Sequence, residues 1–184
     1  MQPRPGTLLV ASAVLADPNF AETVVLLIDA DADGALGVVL NRPTPILVAD
    51  VLEPWRDAVE PPEVLFRGGP VAVDGALALG RLLVPDDEPV GFKRAFGIVG
   101  LVDLDAPVEM VEGGLDAMRV FAGYAGWGPG QLEAEIAEGS WYVVPSEPGD
   151  LFREDTDTLR RDVLRRQPGD LAWAATRPAD PLMN

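Results

Sequence analysis

Three short stretches set a polar or aromatic side chain beside backbone that carries little side chain of its own. They are Asn41-Arg42-Pro43, Arg67-Gly68-Gly69-Pro70, and Tyr124 with Gly126-Trp127-Gly128. Arg42 precedes a proline and is therefore held extended. A guanidinium on a stiff backbone suits two-pronged recognition of a carboxylate or phosphate. If the stretches converge, Arg42, Tyr124, Trp127 and Gln131 line a pocket for a small anionic ligand or a protein partner, with Asn41, Gly68, Gly69 and Gly126 completing the site. The structural alternative is that Asn41 caps a turn, Arg42 pairs with a surface carboxylate and Trp127 fills the core, since glycine–aromatic clusters often serve packing.

Other chemistry is scarce. The chain has no histidine and no cysteine. That removes Ser-His-Asp triads, thiol nucleophiles, disulfides and zinc-type sites. Ser12, Ser140 and Ser146 stand in no nucleophile-elbow motif, and nothing brings Lys93, the only lysine, to them. Asp29, Asp31 and Asp33 open like a calcium loop, but Leu40 falls where the loop needs glutamate. Glu133 and Glu135 fall on different faces of a helix, and Glu135 and Glu138 read as solvated. No catalytic residue, metal site or cofactor is expected.

The chain's 184 residues suit one domain, and its 30 acidic against 14 basic residues give a net charge of −16. Such a balance repels nucleic acid and anionic membranes. Arg160, Arg161, Arg165 and Arg166 form a basic strip, but Asp155, Asp157 and Asp162 dilute it to an ordinary charged helix face. No apolar run reaches transmembrane length. Residues 7–16 resemble a signal-peptide core, yet a single arginine precedes them among prolines, and further strand-like sequence follows. They are read as a buried first strand, and the protein as cytoplasmic.

The elements that must position these residues follow from periodicity and turn chemistry. Strands are predicted over 7–12, 23–29, 35–41, 63–67, 75–83, 96–102, 118–124 and 140–144, with a hairpin turn at Asp33-Gly34. Helices are predicted over 46–55, 106–114, 128–139 and 155–167, the last with Thr156 or Asp157 as N-cap. Strands and helices do not alternate regularly, which argues for an α+β fold. Loops are expected at 53–63 and 83–91, and a loosely held tail from residue 176.

Residues 118–139 read as a strand, a tight glycine turn and a helix. An anion cradle at that helix start is weakly supported. The spacing fits neither phosphate-loop nor dinucleotide motifs, and Pro129 removes one N–H. The stretch "GYAGWGPGQLEAEI" followed by Trp141 resembles the signature of the bacterial YqgE/AlgH family. In the same order, "DPNFAETVVLLI" (17–28), "GALGVVLNRP" (34–43) and "FRGGPV" (66–71) resemble further elements of that family, and "MRVFAGYAGW" carries the arginine and aromatic that precede its signature. The match runs from about residue 7 to about 167. The resemblance implies a single α+β domain with a bifurcated, partly barrel-like, mostly antiparallel sheet flanked by helices. It implies no established catalytic residue; some relatives are described as transcriptional regulators linked with alginate production. Many relatives have histidine where Ala30 and Gly80 stand here, and tryptophan near Leu159.

The leading functional expectation is a non-catalytic binding or regulatory protein. The alternatives are a histidine-independent enzyme using Arg, Tyr and carboxylates, and, ranked last, a direct DNA-binding regulator.

Overall fold

A computed structural model describes residues 1–176; of the closing tail, everything from residue 177 on lies outside them. Ten strands form one sheet in the order β10-β1-β2-β3-β9-β6-β8-β7, with β4 and β5 on a side branch. They are β1 (Thr7–Ala11), β2 (Val24–Asp31), β3 (Gly34–Val39), β4 (Pro43–Leu47), β5 (Val64–Arg67), β6 (Val71–Leu82), β7 (Phe92–Phe96), β8 (Val99–Val102), β9 (Leu115–Trp127) and β10 (Trp141–Pro145). All pairings are antiparallel except β5 with β9.

The fork lies on β9. Its last residues, Ala125 to Trp127, pair with Gly37 to Ala35 of β3. Its middle residues Phe121 and Ala122 pair with Phe66 and Arg67 of β5. One edge of β9 thus serves two strands, while β6 takes the other edge.

The helices are short: α1 (Val48–Val51), α2 (Val108–Val111), α3 (Gln131–Ala137), α4 (Pro148–Leu151), α5 (Leu159–Arg165) and α6 (Asp170–Ala174). The concave face of the half-barrel is filled by Leu151, Phe152, Leu159, Val163 and Leu164 packing on Leu8, Val10, Leu26, Leu79 and Phe121. A second cluster, around Val48, Trp55, Val111 and Met118, covers the other face of β6, β8 and β9. A third joins Leu9, Val25 and Val39 to Trp127, Leu132 and Trp141. β1 contributes to the first and third clusters alternately, so its five residues are all buried, and the apolar run that resembles a signal core is a central strand.

Four expectations shift. The strand predicted over 96–102 is a hairpin, β7 to β8, turning at Gly97 with φ +51°. β4 carries Pro43 and Pro45, which argue against a strand anywhere but an edge, and an edge is where it lies. The basic strip on α5 is dispersed. Arg160 Nη2 donates to Ala11 O at 2.8 Å, and Arg166 is held by Asp150 and Glu147. The N-cap of α5 is Thr158, with Asp155 accepting the amides of Asp157 and Thr158 ahead of it. Among the described residues no helix is long and apolar enough to cross a membrane.

Candidate functional site

The backbones of the three stretches meet. Gly68 donates its N–H to Ala122 O at 2.9 Å, and its carbonyl accepts Val39 N–H at 2.9 Å, so it bridges β3 and β9 at the fork. Arg67 N–H donates to Arg42 O at 2.8 Å. A Cβ at Gly68 would overlap the Gly123 carbonyl oxygen, and one at Gly69 would overlap the Tyr124 backbone. The double glycine is therefore what allows two main chains to touch.

The side chains do not share one surface. Ala125 and Trp127 face the third cluster, whereas Tyr124 packs against the first, because neighbours on a strand point to opposite faces. Two groupings result, with Gly126 exposed between them and paired to Leu36.

In the first grouping, Asn41 and Arg42 hold the loop between β1 and β2. Asn41 Oδ1 accepts Val24 N–H at 2.9 Å and its Nδ2 donates to Glu22 O at 3.0 Å. The Arg42 guanidinium donates to the carbonyls of Asn19, Pro18 and Ala21 at 2.7, 2.9 and 3.1 Å. Burial, then the nearby charge of Arg67, lowers the Arg42 pKa. The loop so held places Phe20 against Trp127 and Trp141, with ring centroids 6.1 and 5.6 Å away. Both indoles donate to Glu135 Oε2, at 3.0 and 2.8 Å, and Gln131 Nε2 donates to Glu135 Oε1 at 3.0 Å. Gln131 Oε1 accepts Gly128 N–H at 3.0 Å, closing the turn before α3. Glu135 is thus half-buried and fully used, rather than solvated as its helical spacing suggests. The signal for this lies in Trp127 and Trp141, whose indole N–H groups need an acceptor once buried.

Sequence reasoning used Arg119 only as a mark of the family resemblance and gave it no structural role. It is 1% exposed, stacks on Phe66 with its guanidinium carbon 4.3 Å from the ring centroid, and donates to the carbonyls of Pro61 and Arg153 at 2.9 and 3.0 Å. Burial lowers its pKa to about 10, so it remains charged at neutral pH. It ties β9 to the 61–62 turn and to the end of α4.

The second grouping centres on Tyr124. With Gly123 it lines an open cleft of about 550 Å³ between β6 and the end of β8, with Leu52 on a third side. The walls are mostly apolar: Ala76, Leu77, Ala78, Leu101, Val102 and Leu104. The polar lining comes from Asp103 and Asp105, both exposed, beside Tyr124 itself. Among the described residues no basic side chain lines the cleft. Asp103 Oδ1 accepts Asp105 N–H at 2.9 Å, and Trp55 Nε1 donates to Leu104 O at 3.3 Å, which anchors this acidic turn. Among the described residues no three carboxylates come together to hold a metal; in the β2–β3 turn, Asp31 Oδ1 accepts Asp33 N–H at 2.7 Å.

A half-barrel, mostly antiparallel sheet with a few short helices is the fold this chain shares with AlgH-like proteins. The chain belongs to the AlgH-like family, whose model matches residues 8–172. It is 56% identical to a UPF0301 protein of Streptomyces coelicolor, covering 97% of this chain and 94% of that one. A UPF0301 protein of Mycolicibacterium smegmatis is 41% identical over 96% of this chain and 89% of its own. The fold matches the crystal structure of a Corynebacterium diphtheriae protein with a TM-score of 0.90 at 32% identity, covering 96% and 94% of the two chains. It matches the solution structure of the AlgH protein of Pseudomonas aeruginosa with a TM-score of 0.68 at 28% identity, covering 97% and 98%.

Proposed function

We propose that this is a non-catalytic binding protein of the cytoplasm that takes a segment of a protein partner into the cleft at Tyr124. The observation that carries this reading is the lining of that cleft: apolar walls, a tyrosine, two exposed aspartates and, among the described residues, no cation. Concave, largely apolar sites with a few oriented polar groups are the usual form of a binding site. Of the two ligand classes the sequence suggests, a small anion and a protein partner, the second fits better. An anion at Tyr124 would meet Asp103 and Asp105, and the donors of Arg42 already serve the carbonyls of residues 18–21. Asn41, Gly68, Gly69, Trp127 and Gln131 then act as the frame that sets the position of β9. The non-catalytic reading rests on the absence of histidine and cysteine from the chain. The cytoplasmic reading rests on the use of residues 7–11 as a core strand.

Amide chemical-shift mapping of the labelled chain tests this, using one panel of small apolar and cationic fragments and one of phosphates and carboxylates. The first panel should perturb Leu77, Leu101 and Tyr124, and Ala76→Trp should abolish that response by filling the cleft. Responses confined to phosphates and centred on Arg42 and Gln131 would favour the anion instead.

A further inference from the structure

The cleft lies in the plane of the sheet rather than on one of its faces. Leu77, Leu101 and Tyr124 belong to the packing cluster on one side of the sheet, while Leu52, Ala78, Val102 and Leu104 belong to the cluster on the other. The ladders explain why. β8 pairs with β6 from Arg81 to Ala78 and stops at Val102. On its opposite edge, β6 pairs with β9 from Leu82 to Ala76 and again at Val71. On the edge turned toward β8, residues 72–77 therefore face no strand among the described residues. The chain leaves β8 through the acidic turn at Asp103 and Asp105, and the cleft occupies the lane that a longer β8 would fill.

We propose that this vacant lane accepts an extended segment of a partner protein, added beside β6 in line with β8, with a Lys or Arg side chain directed at Asp103 and Asp105. The proposal rests on the cleft being the binding site and specifies how it binds and what it binds. Unpaired strand edges are templates for strand addition, where main-chain hydrogen bonds set the register and side-chain pockets set the choice of sequence. The edge strand β4 is guarded by Pro43 and Pro45, whereas residues 72–77 contain no proline. Charge complementarity fixes the sign of the partner. Asp103 and Asp105 end the lane, Asp74 lies in the adjoining bulge, no basic residue among the described ones lines the cleft, and the chain carries −16 overall. The bulge at 72–75 confines regular pairing to Ala76 and Leu77, so the apolar pockets supply most of the affinity and the ladder supplies direction.

The test uses the full chain and a library of random peptides about nine residues long, a length that covers the lane with flanks to spare. Selected peptides should alternate apolar residues and carry Lys or Arg. Asp103→Asn with Asp105→Asn should weaken the best peptide by about fivefold, in the range of partly exposed ion pairs. Asp86→Asn with Asp87→Asn, in the 83–91 loop, should leave binding unchanged. N-methylation along the peptide should cost about tenfold or more at alternate positions and little between them, because only every second amide faces β6. Uniform tolerance of N-methylation overturns strand addition while leaving the cleft reading in place. Peptides that bind Ala76→Trp as well as wild type overturn both. Acidic consensus sequences, or no enrichment at all, overturn the basic partner segment. A dimer of this chain that Ala76→Trp dissolves makes a second copy the occupant and likewise overturns it.

Discussion

Trp127 and Trp141 donate their indole N–H groups to the same oxygen, Glu135 Oε2, at 3.0 and 2.8 Å, and their rings meet edge to face with centroids 6.0 Å apart. One carboxylate thus joins the end of β9, the start of β10 and the helix between them. Glu135→Ala would leave two indole donors without acceptors, at a cost of about 2–3 kcal/mol. Urea unfolding should show that loss. Glu135→Gln, which keeps one acceptor oxygen, should lose less.

Two positive-φ glycines, one at the fork and one at the start of α3, differ sharply in what they tolerate. Gly69 has φ +155°, and a Cβ there would overlap the Tyr124 backbone; Gly130 has φ +73° but open space around it. Gly69→Ala should destabilise by about 3 kcal/mol or more, because neither main chain can retreat. Gly130→Ala should cost only about 1–2 kcal/mol, the penalty of a left-handed alanine. Equal midpoint shifts in urea would contradict the close main-chain approach at residue 69.

Arg119 is buried against Phe66 with carbonyl partners and, among the described residues, no salt bridge to a carboxylate. Arg119→Ala should cost about 3–5 kcal/mol, from the cavity and from stranded carbonyls at Pro61 and Arg153. Arg119→Met, which refills the space, should recover a part of that in the same unfolding assay.

The hydrogen bond from Arg153, foremost, holds the Asp162 carboxyl below its ordinary pKa. The sign follows from linkage: the folded state binds this proton less readily than the unfolded chain. The contribution is complete above the ordinary carboxylate range and fades as pH falls through the lowered pKa. Arg153→Gln should move the Asp162 carboxyl titration, followed by carbon NMR, up toward the ordinary value of 3.8.

Ala72 opens the bulge at the cleft with φ +50°, a conformation alanine adopts at a cost. Ala72→Gly should raise stability by about 1 kcal/mol, read from the thermal or urea midpoint.

Much of the frame was legible in the sequence, and the reasons are local. The apolar runs of β1, β2 and β3 and the aspartate–glycine turn between β2 and β3 announce themselves by pattern. The motifs at residues 17–28, 34–43, 66–71 and 123–136 carry the family resemblance and with it the forked sheet. β7 was hidden because Phe92–Phe96 breaks its apolar pattern with Lys93 and Arg94, and β4 because of its prolines. The grouping of Arg42, Tyr124, Trp127 and Gln131 was only half legible. Spacing brings their backbones together, but whether neighbours on β9 share a surface depends on which face each side of the sheet buries. The cleft itself left no motif: it arises where β8 ends before β6 does, and that difference in length depends on pairing between strands some 20 residues apart.

Hydrogen exchange of the Ala76 and Leu77 amides, measured with and without a saturating library-selected peptide, tests the account's centre most directly. Only one of these neighbours points into the vacant lane. That one should exchange about tenfold more slowly, or slower still, when the peptide is bound, while the other, already turned to β9, changes little. Unchanged exchange at both residues, with protection appearing instead at amides around Arg42 and Gln131, would contradict it.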